Sequence, residues 1–142
     1  MADHIETFKK IKKVAGFLRI STEKTDFEGK KIDIEATLKN HTETMTTFFE
    51  QWGIELVLYS EVLSGGSDFE DRKALQDILN DLKDESQNFD AMAIIELERL
   101  ARDTYVSGII KKALEESNAK LIVLEPFQVL DMNNSSDSLM FG

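Results

Sequence analysis

Val14-Ala15-Gly16-Phe17-Leu18-Arg19-Ile20-Ser21 is short, mostly apolar and closed by a hydroxyl residue. A strand buried on both faces of a parallel sheet reads this way, because neither face meets the water that would favour alternating polar residues. Upstream, residues 1–12 form a preface in which Ile5, Phe8 and Ile11 recur every three residues. That spacing fits a turn or two of amphipathic helix, and a partly frayed terminus fits equally well. Downstream, residues 22–31 are polar and read as a loop. Ile34, Leu38, Met45, Phe48, Phe49 and Trp52 then follow helical spacing, with Gly53 placed to end the helix. Ile54 to Tyr59 is a second strand, and Leu63-Ser64-Gly65-Gly66-Ser67 a flexible connection. Ser67 and Glu70 match a capping box ahead of the stripe Leu75, Ile78, Leu79 and Leu82. Phe89 to Leu97 is a third strand, Val106 to Leu114 a third helix, Leu121 to Leu124 a fourth strand, and residues 131–138 a polar loop. Strands alternating with helices predict a three-layer α/β/α domain around a mainly parallel sheet of four to five strands.

The composition agrees with one soluble domain. The chain has 142 residues, 42% of them hydrophobic, and no cysteine, which excludes disulfides, thiolate metal sites and a Cys nucleophile. No stretch approaches the roughly 18 apolar residues of a membrane span. The start, Met-Ala-Asp-His-Ile-Glu, lacks the basic and apolar regions of a secretory signal, so a cytoplasmic protein is expected. The net charge of −10 argues against nonspecific coating of nucleic acid. Residues 1–39 nevertheless carry a small positive balance, and the acidity lies in residues 40–142. Of 17 basic residues only Arg19, Arg72, Arg99 and Arg102 are arginines. Arginine grips phosphate bidentately and stays charged at any working pH.

In open parallel sheets, ligands bind beyond the carboxyl ends of the strands. Arg19 and Ser21 end the first strand, and strand alternation sets them on one side. The second strand leads through Glu61 into the glycine pair. Arg72 falls in the predicted first turn of the second helix. The third strand runs into Glu98-Arg99-Leu100-Ala101-Arg102-Asp103, and a helix beginning near Leu100 lets Arg99 and Arg102 share a face. All four arginines thus gather at the rim that carries Ser21. A hydroxyl among guanidinium groups suits attack on a phosphodiester, with the arginines neutralising the charge that develops on the phosphate oxygens. A Ser-His-Asp triad fits poorly, since His4 lies in the preface and His41 mid-helix.

These residues resemble the serine recombinases, the resolvase/invertase family and its large integrase relatives. Phe17-Leu18-Arg19-Ile20-Ser21 is similar to the family's aromatic-x-Arg-Val-Ser strand end. Ser64-Gly65-Gly66 with Asp71-Arg72 resembles its Ser-Gly loop and Arg-bearing helix start, and Glu98-Arg99-Leu100-Ala101-Arg102-Asp103 its Asp-Arg-Leu-Ser-Arg-Asp. The resemblance implies a resolvase-like catalytic domain over residues 13–142 after an extension over 1–12. It further implies that Ser21 attacks the scissile phosphate, forming a 5′-phosphoseryl link and a free 3′-hydroxyl. Arg19, Arg72, Arg99 and Arg102 would bind the phosphate, Glu98 would orient an arginine or assist proton transfer, and Ser64 would lie near the site. No metal or other cofactor is implied. The implied partners are DNA and further copies of the chain, as a dimer and tetramer, with room for an accessory directionality factor; localisation would be cytoplasmic and nucleoid-associated. The apolar end Leu139-Met140-Phe141 suggests a domain cut before the long helix and DNA-binding domains of the family, and the tail resembles the large type somewhat more.

The sequence departs from the family pattern at Thr25 and Glu35, where Gln is usual, at Glu98 for Asp, and at Lys73, where Pro usually follows the arginine. Two other readings stand beside the resemblance. One is a catalytically inactive or regulatory relative. The other is a nucleotide- or phosphate-binding module, which predicts an acidic cluster or phosphate-cradling glycines after the first strand, where this chain has Arg19 and Ser21.

Overall fold

The computed structural model describes residues 8–21, 34–63, 73–95, 104–125 and 127–133. Along the chain these form β1 (Lys13–Ser21), α1 (Ile34–Glu50), β2 (Glu55–Leu63), α2 (Lys73–Lys83), a 3₁₀ turn (Glu85–Gln87), β3 (Ala91–Ile94), α3 (Thr104–Ser117), β4 (Lys120–Val123) and β5 (Gln128–Leu130). The strands make one five-stranded sheet in the order β2-β1-β3-β4-β5. The first four run parallel, and β5 returns antiparallel along β4.

Side-chain alternation divides the core into two layers. Ala15 and Phe17 of β1, Met92 and Ile94 of β3, and Leu121 and Val123 of β4 pack under Leu75, Ile78, Leu79 and Leu82 of α2 and Ile110, Ala113 and Leu114 of α3. Val14, Leu18, Ala91, Ala93 and Ile122 face the other way, against Met45 and Phe49 of α1. Both faces of the sheet are therefore covered, which is the expected three-layer α/β/α architecture. It also explains why β1 and β3 read as continuous apolar runs.

The helix ends follow from local chemistry. Gly53 takes φ 66°. The Ile54 N–H reaches the Phe49 carbonyl and the Gly53 N–H that of Glu50, so α1 closes in a Schellman motif. Because the helix stops at Glu50, Trp52 lies in the turn rather than on the apolar stripe, and it is 49% exposed.

Other boundaries differ from the sequence reading. β2 continues four residues past Tyr59, to Leu63. β3 begins at Ala91 rather than Phe89, and β5 has no counterpart in that reading. Ser67 and Glu70 lie outside the described residues, where the helix begins at Lys73. Within the preface, Phe8 and Ile11 are both buried, while Ile5 lies outside the described residues. Phe8 sits among Phe48, Phe49, Trp52 and Phe127, with ring centroids 4.9–6.4 Å away. Aromatic packing of this kind supplies enough buried area to hold a terminal segment in place. No helix among the described residues is long and apolar enough to cross a membrane.

Candidate active site

Because β1, β2, β3 and β4 are parallel, their carboxyl ends Ser21, Leu63, Ile94 and Val123 lie along one edge of the sheet. The strand order reverses at β1: the chain steps from β1 outward to β2, then crosses back to β3 on the other side. Such a reversal opens a crevice beyond the strand ends, between β1 and β3. Arg19 and Ser21 end the strand on one side of that crevice, and residues 96–103 follow the strand on the other.

The register adds a second feature. β1 pairs with β3 from Val14↔Ala91 to Gly16↔Ala93 only, whereas its pairing with β2 continues to Ser21↔Leu63. Over its last five residues, about 16 Å at strand rise, β1 is therefore paired with β2 alone among the described strands. Arg19 and Ser21 stand on this extension, Arg19 opposite Glu61 in register.

For Arg19, Ser21 and Glu35 the structure describes the backbone: the first two in β1, Glu35 as the second residue of α1. Thr25, Ser64, Arg72, Glu98, Arg99 and Arg102 lie outside the described residues. Their places in the chain still bear on the site. Thr25 follows β1, Ser64 and Arg72 follow β2, and Glu98, Arg99 and Arg102 follow β3. Every one of these connections leaves the sheet at the Ser21 edge.

Reading the sequence alone gave Glu61 no role, and the structure supplies one. Glu61 Oε1 accepts the Leu75 N–H at 3.1 Å. One of the free donors in the first turn of α2 is thereby satisfied, and a negative charge sits where the helix dipole favours it. Further along the same two elements, the Tyr59 hydroxyl donates to Asp81 Oδ2 at 2.6 Å. Burial, and then the bond to Asp81, push the Tyr59 phenol well above its ordinary range. These two contacts fasten α2 to β2, and the residue immediately before α2 is Arg72. Glu61→Ala should lower stability by about 1 kcal/mol, as loss of a helix cap does. Glu61→Gln, which keeps an acceptor, should cost less. Thermal unfolding of the two variants checks this, and equal losses would assign the effect to charge alone.

A family model, the N-terminal domain of resolvase, matches residues 14–142. The chain thus belongs to the resolvase family, whose N-terminal domain is the serine recombinase catalytic domain and whose members act on DNA. Comparison with the curated proteins returned no match. The family match begins within β1, so Phe8 and Ile11 are core residues that precede it.

Proposed function

We propose that the chain is the catalytic domain of a site-specific DNA recombinase in which Ser21 is the nucleophile. The observation that carries this reading is the position of Ser21. It ends β1 at the topological switch point, and the connections bearing Arg72, Arg99 and Arg102 leave at the same edge. In the proposed reaction the Ser21 hydroxyl oxygen bonds to phosphorus and the 3′-oxygen of the neighbouring nucleotide leaves. The number of phosphodiester-level bonds is unchanged, so rejoining needs no external energy source. Arg19, Arg72, Arg99 and Arg102 hold the phosphate and stabilise charge on its oxygens in the transition state. Glu98 orients an arginine or assists proton transfer, and Ser64 and Thr25 border the phosphate. Strand exchange takes place between copies of the chain on two DNA sites.

The test uses the gene with its native flanking DNA. Rejoined junctions are scored by amplification, and covalent protein–DNA adducts are trapped on denaturing gels. Adducts that form with the wild type and not with Ser21→Ala support the reading. Adducts that persist in Ser21→Ala overturn it.

Glu35 provides a separate check. As the second residue of α1 it favours the helix dipole, while its charge is unfavourable beside a DNA phosphate. Glu35→Gln should cost at most about 0.5 kcal/mol of stability and leave strand exchange unchanged or raised. A large fall in exchange would give Glu35 a role of its own.

A further inference from the structure

We infer a second DNA-contacting surface at the opposite edge of the sheet, formed by Lys9, Lys10, Lys12 and Trp52. Three of the four positions from Lys9 to Lys12 are lysines, and all three side chains are exposed. None of them forms an ion pair among the described residues. Lys13, next in the run, is engaged: its Nζ donates to the Gln87 carbonyl at 2.6 Å and pairs with Glu55 at 3.9 Å. The lysines are held in place rather than trailing from a loose end. Phe8 and Ile11 are buried on either side of Lys9 and Lys10, and the Ile11 N–H closes a turn on the Phe8 carbonyl at 3.0 Å. The backbone N–H groups of Lys12 and Lys13 both donate to Asp90 Oδ2, at 2.9 and 3.1 Å.

Trp52 completes the patch. Its ring meets that of Phe8 edge to face at 4.9 Å and remains 49% exposed. Three exposed lysines, none of them ion-paired among the described residues, on the segment whose Phe8 props a half-exposed indole match the chemistry of a nucleic-acid backbone, with phosphates for the lysines and a sugar or base face for the ring. The patch precedes β1 and β2, whereas Ser21 ends β1, so eight strand steps, about 26 Å, separate them. A single contacted phosphate cannot serve both. Lys9, Lys10 and Lys12 lie before the family match, and Trp52 lies within it. The surface gives a protein of net charge −10 a local means of holding DNA that the acidic remainder opposes.

Trp52 is the only tryptophan, so its fluorescence reports on this patch alone. The chain is titrated with a short duplex of arbitrary sequence over a range of salt, following Trp52 emission and the anisotropy of labelled DNA. Weak binding, Kd about 10⁻⁴–10⁻⁶ M, is expected with a change in Trp52 emission. Replacing Lys9, Lys10 and Lys12 together by Gln should weaken it about tenfold or more and make the log–log salt slope shallower by about 2–3. The unfolding midpoint should not move, since all three side chains are exposed. Binding that leaves Trp52 emission unchanged, or that survives the triple substitution, overturns the inference, as does the absence of binding. Vesicles containing anionic lipid form a parallel arm, and a Trp52 response to vesicles but not to DNA assigns the patch to a membrane surface instead. The readout is binding without cleavage, so its failure bears on this patch and failure of the Ser21 adduct bears on the active site.

Discussion

Ser21→Ala is expected to abolish covalent adduct and strand exchange together while leaving stability within ~0.5 kcal/mol. That pairing separates a nucleophile from a residue that merely supports the fold. Arg99→Lys is the sharper companion, because it keeps the charge and removes the planar fork of donors. If Arg99 grips the phosphate oxygens as charge develops on them, the loss should be about 2–4 kcal/mol of transition-state stabilisation. This corresponds to a rate roughly 30- to 1,000-fold lower. Both variants are measured with the gene in its native flanking DNA, by the initial rate of junction formation. A near-wild-type rate for either one removes that residue from the proposed chemistry. A wild-type protein that forms neither adduct nor junction instead indicates an inactive relative, and restoring Gln at positions 25 and 35 then tests whether those departures are the cause.

Much of the fold was legible because its strands are buried on both faces. Val14 to Leu18 contact one helical layer or the other at each side chain, so the segment contains no polar residue to confuse with a loop or a surface helix. β5 was not legible, because three residues carry no usable periodicity. The far end of β2 was obscured by Ser60 and Glu61. Polar residues there suggest a strand already finished, yet β2 is the outer strand, and its Glu61 is retained to receive the Leu75 N–H of a helix fourteen residues on. Contacts between elements of that kind leave no local trace. Trp52 shows the opposite error: its spacing continues the stripe of α1, but the helix has ended two residues earlier and the ring turns partly to solvent. The strand end at which the candidate site is proposed was legible through a different logic. Arg19 and Ser21 could be placed at a strand end from hydropathy alone, and the parallel topology then carries residues 64–72 and 96–103 away from that same edge.

Gly16→Val should destabilise the described core by overpacking it. Gly16 lies in the middle of β1, where α1 and β2 both crowd it. A Cβ placed there would run into Met45 Sδ and stand 2.9 Å from Leu56 Cδ1 and 3.2 Å from Leu58 Cδ2. Met45 is fully buried, so its sulfur cannot swing into solvent to make room. Leu58 is partly exposed and can yield, which leaves Met45 and Leu56 as obstacles, with Met45 the nearer. Adding a side chain would by itself help slightly, by about 0.4–1 kcal/mol, because glycine leaves the unfolded chain more freedom. Overpacking costs about 1–3 kcal/mol for such insertions and therefore prevails. Gly16→Ala should be destabilising by the smaller end of that range and Gly16→Val by the larger, read as the denaturation midpoint at unchanged m-value. The assignment to Met45 is tested by combining Gly16→Ala with Met45→Ala, which vacates the space the new methyl needs. The double variant should be less destabilised than the sum of the singles by about 1 kcal/mol. Strict additivity would place the strain elsewhere, in the Leu56 contact on β2, and would predict that Leu56→Ala gives the rescue instead.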